Sequence, residues 1–205
     1  MPAGRRTKRD VLSEFRTAEI LGAARSVFAA KGFADATVDE IAQVAGVAKG
    51  TLYLYYKSKR DIYLAALKAG VQTLLDQLRE RFATAETVAE RIRAFVETRL
   101  VYFDQEPAFF RIYYSEFASA AAAAPASHRF VRDMYLEQIG MLADAIRTAP
   151  DRDQALRPLD PERVAAVVGE LTRGLISDRT LHRGRATVED EVRFVLDFVW
   201  NGLST

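Results

Sequence analysis

Lys49, Gly50 and Thr51, then Tyr53, Leu54 and Tyr55, then Lys57, Lys59 and Arg60 gather ammonium, guanidinium and hydroxyl groups into one short stretch of chain. These groups suit oxyanions and base edges. Lysine and arginine meet phosphate charge, hydroxyls and backbone amides donate to phosphate oxygens, and an apolar side chain such as Leu54 matches a thymine methyl. Lys49 and Gly50 fall where a short helix would begin, so its positive end adds to the attraction and Gly50 lets the backbone come close. A phosphate-binding loop is excluded: GVAKGT lacks the Gly-Lys-Ser/Thr order and no strand pattern precedes it.

The elements that would position these groups can be read on either side of Gly46. Thr37 and Glu40 stand at capping-box spacing, which predicts a helix starting at Val38. Ile41, Val44 and Ala45 give it an apolar stripe, Gly46 suits the left-handed residue that ends a helix, and Val47 can tuck inward. A second helix from about Ala48 to Tyr56 is too short to be stable alone, and Leu52 and Tyr56 are its expected anchors. Two helices and a tight turn make a helix-turn-helix. Spacing alone leaves its use open, because two-helix turns recur in proteins that never touch nucleic acid, and Lys49, Tyr53 and Tyr56 fall on neighbouring angles of the wheel.

The run from Ile20 through Leu67 closely resembles the N-terminal DNA-binding domain of the TetR family of bacterial transcriptional regulators. The residues that carry the likeness are Ile20, Ala23 and Phe28, the Lys31-Gly32-Phe33 exit, Thr37 through Ala42, Ala45-Gly46-Val47, and Gly50-Thr51-Leu52-Tyr53 through Tyr56-Lys57-Ser58-Lys59. The resemblance implies that Thr37, Ala48, Lys49, Gly50, Tyr53, Leu54, Tyr55 and Lys59 face DNA. Tyr53 and Lys59 would hold phosphates, and Thr51, Leu54 and Tyr55 would reach base edges or thymine methyls. Members commonly carry a polar side chain where this chain has Ala48 and Leu54, so direct readout there would be more apolar. The implied partners are a double-stranded DNA operator, a second copy of the chain and a small-molecule effector.

Charge is distributed in keeping with that resemblance. The net charge is +1 over 205 residues, but residues 1–60 hold 11 Lys and Arg against 6 Asp and Glu (+5), while residues 61–205 hold 18 against 22 (−4). The cation-rich surface therefore falls on the expected DNA-binding part. Residues 1–16 are basic without the apolar core of a signal peptide and read as a flexible arm, whose Arg5, Arg6, Lys8 and Arg9 either follow DNA or do nothing. There is no cysteine, and no apolar run reaches the ~20 residues that span a bilayer. A cytoplasmic protein with no membrane partner is expected. His128 and His182 have no ligand-spaced neighbours, so no metal is expected, and no paired acid and base suggests a catalytic site. No cofactor and no enzymatic activity are expected.

The fold class expected is all-α with about nine helices: a flexible arm over 1–16, a three-helix DNA-binding domain over 17–60 and a helical effector-binding and dimerisation domain over 61–205. Ser58 and Asp61 cap a long fourth helix running to about Phe82, with Ile62, Leu67, Val71, Leu74 and Leu78 inside. Further helices are expected near 87–104, 107–123, 128–148, 161–181 and 188–203, with Asp160-Pro161 and Thr187/Asp190 as starts and the Ala120–Ala124 run extending one of them.

Eight of the 21 aromatic residues lie in the 23 residues from Phe95 to Phe117. Ordinary core packing accounts for such a stripe, and so does a ligand cavity of rings with a few polar anchors. The candidate lining residues are Arg99, Tyr102, Phe103, Phe110, Arg111, Tyr113, Tyr114 and Phe117. The resemblance implies a cavity in this domain, with Met134 and Met141 among its further walls. Val164, Val168, Leu171 and Leu175, followed by Val192, Val195 and Val199, repeat at three- and four-residue steps, with Phe194 and Phe198 on another side of the last helix. A helix apolar on two sides has two partners, and the resemblance implies that one is the same helices of a second subunit. The expectation is a ligand-responsive regulator, a repressor that binds a palindromic operator as a homodimer and is released by an apolar or amphipathic effector. The alternatives are a helical ligand carrier or enzyme using the aromatic cavity, or a DNA-binding protein without an effector.

Overall fold

A computed structural model describes residues 8–118, 126–151, 160–182 and 186–203. Among the described residues there are nine helices and no strand: α1 (Lys8–Asp35), α2 (Val38–Val44), α3 (Lys49–Tyr55), α4 (Lys59–Thr84), α5 (Val88–Gln105), α6 (Pro107–Ala118), α7 (Ala126–Arg147), α8 (Pro161–His182) and α9 (Val188–Leu203). The all-α expectation holds, and the helix boundaries that fall on described residues lie within a few residues of those the caps and prolines predict. One difference lies at the start, where the expected arm is helical from Lys8 and α1 continues from it. Arg5, Arg6, the alanine run 120–124 and the side chains of Lys8, Arg9, Phe117, His128 and His182 lie outside the described residues.

The described residues form two compact units, which divide the chain differently from the expected boundary after residue 60. The first holds residues up to 70 together with 108–118, and the second holds 71–107 and the residues from 126 onward. Helix α6 thus belongs with the helix-turn-helix, although the sequence placed it with the effector domain.

In the first unit, Ile20, Ala24 and Phe28 of α1 are buried together with Ile41, Ala42, Leu52, Ile62 and Leu67. Gly32 breaks the helical path of α1 at φ 75°, so the chain turns there and buries Ala36 ahead of α2. Phe28, Phe33 and Tyr63 form a ring cluster with centroids 5.0 to 6.0 Å apart. Tyr63 reaches from α4 to α6, its hydroxyl donating to the Glu116 carboxylate at 2.6 Å. Burial, reinforced by that carboxylate, pushes the Tyr63 phenol well above its ordinary range. Gly70 is required at its place: a Cβ there would sit 2.4 Å from the Phe109 ring.

Between α2 and α3 the turn is a Schellman motif. The Val47 amide donates to the Ala42 carbonyl at 3.0 Å and the Gly46 amide to the Gln43 carbonyl at 3.2 Å, with Gly46 at φ 65°. A Cβ on Gly46 would meet nothing within 4 Å, so the cost of a side chain there is conformational. Gly46→Ala is expected to lower stability by about 1–2 kcal/mol, the penalty of a left-handed alanine; urea titration followed by circular dichroism measures it.

In the second unit α5, α7, α8 and α9 pack on one another, and the inner stripe of α4 continues through Val71, Leu74 and Leu78, all buried. The α5 start is a capping box of Thr87 and Glu90, each side chain accepting from the other's backbone amide. Asp160 and Thr187 cap α8 and α9 as expected, accepting from the Glu162 and Asp190 amides at 3.1 Å. Gly169 allows α8 to approach α7, since a Cβ would sit 2.2 Å from Ile139 Cδ1 and 3.0 Å from the Tyr135 hydroxyl. This close approach is made inside one chain.

Candidate nucleic-acid interface and effector residues

Helix α3 is seven residues long and has one buried residue, Leu52, at 0% exposure. Its neighbours Tyr53 (47%), Leu54 (83%) and Tyr55 (40%) stand on the surface, and Tyr56 just past its end is half-buried. An exposed leucine between two exposed tyrosines is an uncovered apolar and hydroxylated face. Ala48 takes the cap position without a side-chain hydrogen bond; the Thr51 amide donates to the Ala48 carbonyl at 2.8 Å, and Lys49 and Gly50, ahead of it in the first turn, are exposed.

Thr37 is fixed before any ligand arrives. Its hydroxyl accepts from the Glu40 amide at 3.2 Å, and the Glu40 carboxylate accepts from the Thr37 amide at 3.1 Å. Lys31 also pairs with Glu40, and this ammonium, followed by the Thr37 amide, holds the Glu40 carboxyl below its ordinary range. Lys49 donates to Asp39 at 2.7 Å, and that carboxylate raises the lysine above its ordinary range. Both partners are exposed, so the pair is screened by water and a phosphate can replace Asp39.

Lys59 is placed differently from what its expected phosphate contact requires. Its ammonium donates to the carbonyls of Ala34 (3.0 Å) and Ala36 (2.9 Å) and lies 4.7 Å from the centre of the Phe33 ring. It thereby ties the start of α4 to the end of α1, and two of its three donors are used. No local pattern signals this, because the partners are 23 and 25 residues away. A second departure is Val44, which is 59% exposed, while Ala42 takes its place inside. On a helix of under two turns, Ile41 and its neighbour suffice to face α1.

The ten expected effector-lining residues fall in both units. Arg99, Tyr102, Phe103 and Met134 are buried in the second, where Met141 is half-buried. Phe110 and Tyr113 are buried in the first, Tyr114 is half-buried, and the Phe117 side chain is outside the described residues. Arg111 is exposed and does not line a core, because its position on α6 lies on the side away from Phe110 and Tyr113. Arg99 lies between rings, its guanidinium carbon 5.1 Å from the centre of Phe95 and 5.5 Å from that of Tyr135.

The candidate interface on α8 and α9 needs correction. Val164, Val168, Val192, Val195 and Val199 are buried within a single chain and cannot be the seam. The other side of α9 is uncovered: Phe194 and Phe198 are 59% and 58% exposed, their rings stacked 6.4 Å apart. With half-buried Leu171 and Leu175 and with Gly174, they border an apolar groove. The pattern showed two apolar sides but not which one turns inward, and the flat, β-branched valines take the side packed on α5 and α8.

No helix among the described residues is long and apolar enough to cross a membrane, and no group of three potential metal-ligating side chains occurs among them.

Residues 20–66 match the family model described as bacterial regulatory proteins, tetR family, and residues 88–203 match that of the BetI-type transcriptional repressor, C-terminal. The HTH-type transcriptional activator FasR of Mycolicibacterium smegmatis is 28% identical over 194 residues, covering 92% of this chain and 83% of that protein. Among solved structures, FadR from Bacillus subtilis in complex with stearoyl-CoA superimposes with a TM-score of 0.77 at 17% identity, covering 90% of this chain and 98% of that one. A transcriptional regulator from Saccharomonospora viridis in complex with choline gives 0.78 at 22% identity, covering 94% and 99%.

Proposed function

Because the chain belongs to the TetR family of bacterial transcriptional regulators, we propose that it binds a palindromic operator as a homodimer and releases it when a small amphipathic effector enters the helical core. The observation that carries the DNA-reading part is the split of α3 into one buried anchor, Leu52, and an outward row of Tyr53, Leu54 and Tyr55. A homodimer sets two such helices in successive major grooves, about 34 Å apart. Thr37, Lys49 and Tyr53 contact phosphates, the exposed first turn of α3 adds its amides, and Leu54 with Tyr55 and Thr51 reads base edges and thymine methyls. Lys59 acts mainly by holding the α1 exit against α4, with one donor left for phosphate.

The stacked Phe194 and Phe198 with Leu171 and Leu175 form the seam with the second copy. Two helices from each subunit then make the interface. The effector binds among the buried rings of the helical core and favours a conformation with weaker operator affinity. The coupling required is about 1–3 kcal/mol. The BetI-type match supports repression, and solved proteins of this fold hold molecules as unlike as stearoyl-CoA and choline, so neither is carried over to this chain.

Titration of the DNA upstream of its own coding region, followed by fluorescence anisotropy, tests the reading. Lys49→Ala with Tyr53→Ala, which removes two phosphate contacts from each subunit, is expected to weaken binding about tenfold or more, on operator and unrelated DNA alike, and to flatten the salt dependence. Wild-type affinity should fall by about 10³-fold or more between 50 and 200 mM salt as counterions are released. Binding indifferent to sequence, to the double substitution and to salt would sink the proposal.

A further inference from the structure

Arg99 has no exposed surface, and among the described residues its Nε, Nη1 and Nη2 atoms make no hydrogen bond. Phe95 and Tyr135 flank the guanidinium, a contact that uses its charge and its face but leaves the in-plane N–H groups unsatisfied. The acid on the far side of Tyr135 is already engaged: Glu170 accepts from the Tyr135 hydroxyl at 2.7 Å and from Arg173 Nε at 2.9 Å. Burial pushes the Glu170 carboxyl up, but the bonds from Arg173 and Tyr135, with the charges of Arg173 and Arg99, outweigh it and hold the group ionised below its ordinary range. That carboxylate therefore fixes the Tyr135 ring against Arg99 without taking a bond from the guanidinium. A buried cation with idle donors is costly unless an anion meets it, and a guanidinium presents a rigid fork that fits a carboxylate with two parallel bonds.

We infer that Arg99 is the anchor for the anionic group of the effector, a carboxylate or another oxyanion, and that the effector is an acidic amphiphile whose apolar part lies among the buried rings of the second unit. This rests on the proposal that the helical core takes an effector, and adds the sign of the effector's charge and the residue that reads it. Phe95 and Tyr135 act as walls that keep the fork in one plane, so charge and direction are read together.

Isothermal titration with two matched pairs, octanoate against octanol and phenylacetate against 2-phenylethanol, separates the two levels of the argument. At least one carboxylate is expected to bind wild-type protein tenfold or more tightly than its alcohol, about 1.4 kcal/mol. In Arg99→Met that ratio should fall to about one while the alcohol still binds, and Arg99→Lys should retain only part of the preference because the fork is lost. Equal affinity for acid and alcohol on the wild type, or a preference that survives in Arg99→Met, overturns the anchor and leaves the effector reading standing. Failure of every probe to bind overturns both. Should Arg99→Met not fold, the wild-type ratio and Arg99→Lys decide.

Discussion

Phe194→Asp with Phe198→Asp should turn the proposed dimer into a well-folded monomer with little hold on its operator. Both rings are more than half exposed in the single chain, so introducing two carboxylates buries no charge in the subunit itself. Across the proposed two-fold interface the same change sets four carboxylates into an apolar seam, where unpaired charge is costly. Losing the partner removes the second half-site, and the affinity gained by linking two binding events is about 10²- to 10⁴-fold. Light scattering should give the monomer mass, circular dichroism should show unchanged helix content, and anisotropy should show operator affinity reduced by that factor. The control is Val195→Asp, which falls on the buried side of α9 and should lose helix content as well. A double variant that stays dimeric would refute the seam.

Leu52→Ala is expected to destabilise the protein by about 2–5 kcal/mol, the range for emptying a fully buried leucine site. The effect on function should exceed that on the fold as a whole. A seven-residue helix is not stable by its own hydrogen bonds, and Leu52 is its only buried residue. Hydrogen exchange should show lost protection from Lys49 to Tyr55 while α5 and α7 remain protected, and operator binding should disappear under conditions where most of the protein is still helical. Protection unchanged on α3 would mean that Tyr56 and the Schellman turn hold it without Leu52.

The devices read correctly from the sequence act over three or four residues. Thr37 with Glu40, Ser58 with Asp61, and Thr187 with Asp190 all cap helices as their spacing predicts, and Gly46 adopts the left-handed conformation its place demanded. What was illegible depends on neighbours far along the chain. Lys59 looks like one more cation in a basic run until the carbonyls of Ala34 and Ala36 are placed beside it. The assignment of α6 to the first unit depends on Tyr63 meeting Glu116 and Gly70 meeting Phe109, pairings separated by about forty to fifty residues. Two-sided helices such as α9 carry the same ambiguity, since periodicity records that both sides are apolar and not which is covered first. In Arg99 the sequence showed a charge close to rings; that no described residue accepts from its guanidinium is visible only once α7 is packed against it.

The Tyr63–Glu116 and Gly70–Phe109 contacts also bear on how portable the DNA-reading unit is. Its core is written in two separated stretches of the gene, so a hybrid regulator joined anywhere between residues 70 and 108 takes Tyr63 and Gly70 from one parent and Phe109 and Glu116 from another. Glycine, the facing phenylalanine and the tyrosine–carboxylate pair must then match across a seam of different ancestry, and they act as a compatibility lock: parts that exchange cleanly by alignment will exchange cleanly in solution only when both halves of the lock come from the same parent.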